Sequence, residues 1–202
     1  MSKEQIVMAA LELAYESGLG GLSMSRIAEK AGIKKSSLYS HFPSKEAIIS
    51  EMYVLLRKQA NHNREIGQFD YGSYVEGKDL KEILLGTVRD YERMNMNPQM
   101  EMFYKVILSE RTLNPTAAEI MVSETKTMIR ATKQLFYAIM AKKVAFFDDI
   151  DSAAVAFAMG VHSILDFRMD DRTAGTDESR GLLEQYIDEF CRVYGASART
   201  KG

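Results

Sequence analysis

The rarity and placement of helix-breaking residues constrain the fold of this chain more than any other feature. Only three prolines occur in 202 residues, at positions 43, 98 and 115. Each stands where a helix can begin, because proline is tolerated in the first helical turn. Between these points apolar residues recur with helical spacing, and no segment shows the alternation of a strand. We therefore predict an all-α protein of about nine helices.

Capping residues mark four successive helices in the N-terminal part of the chain. The residues predicted to begin or end them are Ser2 with Gln5, Gly18, Ser23, Gly32, Lys34 or Lys35, His41, Pro43 and Ser44. The second and third helices are short, and the turn between them is Ala31-Gly32-Ile33. Two short helices joined by a turn with glycine are typical of a helix-turn-helix, a DNA-binding motif.

Positive charge is concentrated in this motif although the whole chain has a net charge of −2. Residues 23–45 hold five basic residues and one acidic residue, a local charge of +4. The basic residues are Arg26, Lys30, Lys34, Lys35 and Lys45. A small basic site on an acidic body is typical of a protein that binds one nucleic-acid site, and a solvated basic surface is the alternative.

The third helix presents polar side chains to the outside when Ile27, Ile33 and Leu38 face inward. The outward residues are Lys34, Lys35, Ser36, Ser37, Tyr39 and Ser40. Such side chains donate hydrogen bonds to phosphate oxygens or to base edges. Free backbone N–H groups at the start of the fourth helix, near Ser44 and Lys45, form a further phosphate site.

The stretch "SMSRIAEKAGIKKSSLYSHFPSKEAI", residues 23–48, resembles the DNA-binding domain of the TetR family of bacterial transcription regulators. The resemblance covers residues 5–50. The family pattern Leu-Tyr-x-His-Phe-x-x-Lys is met by Leu38, Tyr39, His41, Phe42 and Lys45. It implies a helix-turn-helix domain at residues 1–48 and a larger helical domain for ligand binding and dimerisation at residues 49–202.

The resemblance also implies roles for individual residues of the motif. Tyr39, His41 and Lys45 are expected to contact phosphates, with packing of the small core as the alternative for Tyr39 and His41. Ser23 and Ser25 are expected to anchor the neighbouring DNA backbone. The full set of predicted DNA-binding residues is Ser23, Ser25, Lys34, Lys35, Ser36, Ser37, Tyr39, Ser40, His41 and Lys45, of which Lys35, Ser36 and Ser40 are the candidates for base-edge contacts.

Specificity from a three-helix domain requires two copies on a near-palindromic site. The last two helices carry small and large apolar residues that allow close helix crossing, and they are the expected homodimer surface. The predicted interface residues are Phe157, Val161, Ile164, Leu183, Tyr186, Ile187, Phe190 and Tyr194. Burial of these stripes within one chain is the alternative.

Thirteen methionines, ten tyrosines and nine phenylalanines in a chain without tryptophan indicate an adaptable apolar interior. The family commonly holds an apolar ligand pocket between its central helices. The predicted lining residues are Tyr91, Met100, Phe103, Met128, Phe136, Met159 and His162, with plain core as the alternative for each. His162 could orient a polar ligand group, and a satisfied core or interface histidine is its alternative role.

These features together predict a homodimeric regulator that binds a palindromic DNA operator. The family resemblance further implies that it is a repressor, released by a small, largely apolar effector. A ligand-responsive activator or a redox-sensing regulator that uses the single cysteine, Cys191, would have the same fold. An adaptor without DNA binding is disfavoured by the intact motif. An enzyme is disfavoured because no catalytic or metal-binding motif is found, and no cofactor or metal is predicted.

The expected location is the cytoplasm. A single cysteine cannot form an internal disulfide, which fits a reducing compartment. No run of about 18 apolar residues occurs, so no membrane span is predicted. The acidic residues Glu4, Glu12 and Glu16 and the lack of a continuous apolar segment argue against a signal peptide.

Overall fold

The computed structural model describes residues 2–62, 69–95 and 98–195. Within these ranges the chain forms ten α-helices and one 3-10 turn, and it is all-α as predicted. The helices are α1 (Lys3–Ser17), α2 (Met24–Lys30), α3 (Lys35–His41), α4 (Lys45–His62), α5 (Tyr71–Val75), α6 (Leu80–Asn95), α7 (Pro98–Glu110), α8 (Pro115–Ala141), α9 (Ile150–Ala174) and α10 (Leu182–Gly195), and the 3-10 turn is Leu19–Gly21.

The helix beyond the expected nine is α5, which has five residues. It lies in the stretch 67–78, which the sequence predicts as a loop with a helical turn. Residues 67 and 68 of that stretch, and residues 63–66 of the predicted fourth helix, lie outside the described residues.

The predicted caps of the first helices are confirmed. The Ser2 hydroxyl oxygen accepts from the Gln5 N–H at 3.2 Å, and the Gln5 side-chain oxygen accepts from the Ser2 N–H at 2.9 Å. Gly18 ends α1 with a φ of 69°, a left-handed value that favours glycine. Ser23 caps α2 by accepting from the Arg26 N–H at 3.3 Å. Local sequence therefore sets these boundaries.

The chain divides into two compact units, each with its own core. The first unit comprises Met1–Glu65 and Met94–Glu124, and the second comprises Ile66–Arg93 and Thr125–Gly202. The predicted boundary after residue 48 follows the family pattern and stays a prediction. In the structure, part of the predicted body, including α7, packs in the same unit as the N-terminal helices.

The core of the first unit is built on α1, which packs against α2, α4 and α7. Its buried face includes Ile6, Ala10 and Leu13, which the helical spacing predicts. From the short α3, Leu38 is fully buried in the same cluster. This cluster holds the helix-turn-helix in place.

The core of the second unit is a cluster of stacked and edge-on aromatic rings. Phe136 on α8 lies 4.7 Å from Phe147, 5.6 Å from Phe157 and 5.9 Å from Phe190, measured between ring centres. Phe157 and Phe190 join α9 to α10 at 5.1 Å. These rings are buried within one chain.

This packing buries most of the predicted dimer surface within one chain, and the interface stays a prediction. Six of its eight residues are less than 9% exposed in the single chain, and the other two, Tyr186 and Tyr194, are partly buried. The six are Phe157, Val161, Ile164, Leu183, Ile187 and Phe190. The most apolar faces of α9 and α10 turn toward each other and toward α8, since burial within one chain removes the same apolar area from water.

α9 also meets the length and composition of a membrane-spanning helix, the only described helix that does so. Core helices of globular proteins meet the same criterion. One face of α9, with Ala154, Phe157 and Val161, is buried inside the second unit. The opposite face exposes Val155, Met159 and Phe167.

A glycine allows the close approach of α9 and α10. The Tyr186 hydroxyl donates to the Ala156 carbonyl at 2.9 Å, and a Cβ atom at position 160 would overlap the Tyr186 ring and its hydroxyl oxygen. The absence of a side chain at Gly160 thus leaves room for the Tyr186 ring against α9.

A buried carboxylate ties the end of α9 to the connection that follows. Asp171 accepts from the Ser179 N–H and from the Thr176 hydroxyl, both at 2.6 Å. Asp171 is 5% exposed. Hydrogen bonds from Ser179 and Thr176 lower the pKa of Asp171 to about 2.

Gly160→Ala should destabilise the protein by about 1–3 kcal/mol, because the added methyl group displaces the Tyr186 ring. Alanine otherwise favours a helix over glycine by up to about 1 kcal/mol. In a Tyr186→Leu background the same substitution should therefore be neutral or stabilising. Urea unfolding of the four variants of this cycle measures the difference, and an equal cost in both backgrounds would disprove the steric explanation.

Asp171→Asn should lower stability at neutral pH and flatten its acid dependence. The pKa of Asp171 is lower in the folded chain, at about 2, than in an unfolded chain, at about 3.9. Its stabilisation is therefore complete above about pH 4 and is lost as the pH falls toward about 2. Urea unfolding across this range tests the prediction, with the exposed neighbour Asp170→Asn as the control that keeps the wild-type profile.

Candidate nucleic-acid interface

The turn between α2 and α3 is closed by backbone hydrogen bonds. The Gly32 N–H donates to the Glu29 carbonyl and the Ile33 N–H to the Ala28 carbonyl, both at 3.0 Å. Gly32 has a φ of 68°, so a side chain at this position would be strained. The turn fixes the direction in which α3 leaves α2.

α3 is a seven-residue helix with one apolar anchor and one polar surface. Leu38 is fully buried, and Phe42, which follows the helix, is 4% exposed. The exposed residues are those that the sequence predicts, Lys34, Lys35, Ser36, Ser37, Tyr39 and Ser40. Tyr39 is 48% exposed, which does not fit the alternative role in packing. His41 and Lys45 are partly exposed at the end of α3 and the start of α4.

The serines of the motif differ in the hydrogen bonds that they make within the chain. The Ser40 hydroxyl donates to the Ser37 carbonyl at 2.7 Å, so in this conformation its proton is not directed at a base. Ser23 and Ser44 accept backbone N–H groups at the starts of α2 and α4. Hydrogen bonds from the Glu46 backbone and from the Ser44 side chain lower the pKa of the Glu46 carboxyl, so the Ser44 hydroxyl already has a partner. Ser25 is exposed on α2.

Two of the five basic residues in the range 23–45 form salt bridges or hydrogen bonds with neighbouring residues of the chain. Lys30 contacts Glu12 at 3.1 Å and Glu16 at 3.3 Å on α1, and hydrogen bonds to these carboxylates raise the pKa of Lys30. The Arg26 guanidinium donates to the Gly21 carbonyl at 2.5 Å. The basic side chains that remain available to contact a nucleic acid are concentrated between the turn and the start of α3, at Lys34 and Lys35.

One basic residue near this surface was missed by sequence reasoning. Lys3, the first residue of α1, places its ammonium 5.5 Å from the centre of the Phe42 ring, next to the end of α3. No local pattern could have revealed this contact, since it joins residues that are far apart in sequence.

The predicted ligand-pocket residues lie in different cores. Met100 and Phe103 are buried in the first unit and Phe136 in the second. Tyr91 and Met128 are partly buried, and Met159 is 39% exposed on α9. His162 lies 3.7 Å from Asp166, one turn further along the same helix. A common pocket stays a prediction.

Residues 6–52 match the family model described as bacterial regulatory proteins, tetR family. This range contains the turn, the polar surface of α3 and the start of α4 described above. Residues 6–52 therefore form a DNA-binding domain of the TetR family.

The chain is 29% identical over 109 residues to the tetracycline repressor protein class C of Escherichia coli. The alignment covers 50% of the chain and 49% of that protein. The chain thus spans about half the length, or less, of the curated relatives it matches.

Solved structures share the whole fold. GusR of Salmonella enterica has a TM-score of 0.64 at 21% identity, covering 94% of this chain and 95% of that one. SmeT, solved in complex with triclosan, has a TM-score of 0.65 at 14% identity, covering 96% of this chain and 91% of that one. The similarity extends through the C-terminal helices, and at this identity it concerns the fold alone.

Proposed function

We propose that this chain is a DNA-binding transcriptional regulator that represses transcription as a homodimer on a palindromic operator. The observation that supports this most is the exposed polar surface of α3, anchored by the fully buried Leu38. Repression is proposed by analogy with the tetracycline repressors, one of which is 29% identical to this chain over 109 residues. A regulator of this kind acts on DNA in the cytoplasm.

α3 would enter the major groove, where it and the start of α4 would make two kinds of contact, one to base edges and the other to phosphates. The Lys35 ammonium is exposed at the first turn of α3 and can donate to guanine O6 or N7, a base-edge contact. Ser36 adds a further exposed donor beside it. Tyr39, His41 and Lys45 would bond phosphates, which set position rather than sequence specificity.

Dimerisation would use the outer faces of α9 and α10. Val155, Met159 and Phe167 are 36–40% exposed on α9, and Val193 is 48% exposed on α10. The first two lie one turn apart, so they form an apolar strip on the surface of one chain. Pairing two such surfaces about a twofold axis would give a four-helix bundle and carry two copies of α3 to successive major grooves.

The effector would be a small, largely apolar molecule bound in the helical body. Flexible methionine side chains suit a cavity that adapts to its ligand. The SmeT complex shows that a related fold holds triclosan, an apolar aromatic compound. A ligand that prefers a conformation unable to bind the operator would weaken repression by the ratio of its affinities for the two conformations.

Two alternatives from the sequence lose support. Burial of Cys191 raises the pKa of its thiol to about 11, and a thiol is a poor redox sensor because the thiolate is the reactive form. Catalysis is disfavoured because proteins of this family are transcription factors rather than enzymes. A ligand-responsive activator of the same fold remains the second candidate, because the sign of regulation depends on where the operator lies.

Lys35→Ala should weaken operator binding by about 1–3 kcal/mol and relax specificity at one base position. Tyr39→Ala should weaken binding to all sequences more evenly, because a phosphate contact carries no sequence information. Fluorescence anisotropy measures both, using DNA from upstream of the gene or a sequence enriched from a random pool, across a series of salt concentrations.

Lys30→Ala is the matched control for these substitutions. It removes a lysine that Glu12 and Glu16 already hold, so operator affinity should change by less than about twofold and the salt dependence should stay the same. Random-pool selection that enriches no palindrome with the wild-type protein would contradict the proposed function.

Met159→Glu should convert the dimer to a monomer, because it places a charge in the apolar strip of α9. Sedimentation velocity measures the oligomeric state. Val122→Glu, at a 53% exposed position of α8, is the control and should leave the dimer intact. A Met159→Glu protein that sediments like the wild-type dimer would show that this surface is not the interface.

A further inference from the structure

α7 contacts the C-terminal end of α1 through two polar side chains. The Lys105 ammonium donates to the Tyr15 hydroxyl at 2.9 Å and lies 5.1 Å from the centre of the Tyr15 ring. Glu110 accepts from the Leu19 backbone N–H at 3.3 Å, in the 3-10 turn that follows α1. We call these the Lys105 contact and the Glu110 contact.

The Lys105 side chain is held in place from both sides. Glu101, one turn earlier on α7, lies 3.2 Å from its ammonium group. The hydrogen bond with Tyr15 raises the pKa of Lys105. Although the Lys105 side chain is 42% exposed, contacts with a carboxylate and an aromatic ring restrict the direction of its ammonium group.

Glu110 lies where the end of α1 meets α4 and α7. Beside it on α4 is Tyr53, which is 2% exposed. Burial and the negative charge of Glu110 raise the pKa of Tyr53 to about 12. Among the described residues the Tyr53 hydroxyl has no hydrogen-bond partner. The Glu110 carboxylate therefore accepts from the turn after α1, and its charge also acts on Tyr53 of α4.

The direction of α1 decides the direction of α3. α1 forms one core with Ile27 of α2 and Leu38 of α3, so a rotation of α1 carries the DNA-facing surface with it. Apolar packing is not directional, whereas hydrogen bonds require defined distances and angles. Two hydrogen bonds at the same end of α1 therefore restrict its rotation on α7.

We propose that Lys105 and Glu110 are positioning residues, which act through Tyr15 and Leu19 to hold the N-terminal three helices in the orientation that binds the operator. The proposal rests on the DNA-binding function proposed above. It places part of the control of DNA affinity on α7, outside the helix-turn-helix itself.

Substitutions that remove each contact test the proposal in the full-length protein. Lys105→Met and Glu110→Ala should each lower operator affinity about three- to tenfold. Lys105→Arg keeps a donor for Tyr15, and Glu110→Gln keeps an acceptor for the Leu19 N–H, so both should stay within about twofold of the wild type. Lys126→Met and Glu119→Ala remove the same charges at exposed positions of α8 and should not change affinity.

Amide hydrogen exchange at Leu19, followed by NMR, gives a readout that does not depend on DNA. Exchange should be faster in Glu110→Ala and unchanged in Glu110→Gln, because only the first loses the acceptor. Unfolding in urea, measured in parallel, provides the fraction of each variant that is folded.

The outcomes separate the two proposals. If the wild-type protein binds no DNA, the proposed function fails. If folded Lys105→Met and Glu110→Ala bind the operator as tightly as the wild type and lose only stability, the contacts are structural and the positioning role is overturned. Unchanged exchange at Leu19 in Glu110→Ala also overturns that role, whatever the DNA result.

Discussion

The DNA-facing surface depends on the burial of one side of α1. A helix of seven residues is not stable alone in water, and α3 is held because Leu38 enters the core that α1 forms with α2 and α4. The left-handed Gly32 turn sets the angle between α2 and α3. The polar residues of α3 contribute little to this core, so they are free to serve recognition.

Acidic residues of α1 determine which cations remain for a partner. Glu12 and Glu16 hold Lys30, while Arg26 closes the turn after α1 through the Gly21 carbonyl. The local charge counted along residues 23–45 is therefore larger than the positive charge that would be available to contact DNA. The remaining cations are concentrated at Lys34 and Lys35, beside the exposed polar side of α3, which favours a compact site over a broad electrostatic surface.

The two faces of α9 have different partners. Its inner face joins the Phe136, Phe157 and Phe190 cluster, and the glycine at position 160 lets Tyr186 reach the α9 backbone. Its outer face leaves Val155 and Met159 exposed. A helix with apolar residues on two opposite faces is typically covered on both of them. For the outer face of α9, the partner that we propose is a second copy of the chain.

The sequence by itself determined the helices, their caps and the helix-turn-helix, because these depend on residues a few positions apart: Ser2 with Gln5, Ser23 with Arg26, and Gly32 in its turn. It also identified the exposed side of α3, because one buried leucine fixes the orientation of so short a helix. Only the tertiary structure decided that the stripes of α9 and α10 fill one chain's own core, since helical periodicity shows that a face is buried and not what covers it. The contacts of Lys105 with Tyr15 and of Glu110 with Leu19 likewise join distant parts of the chain, and no pattern of neighbouring residues specifies them.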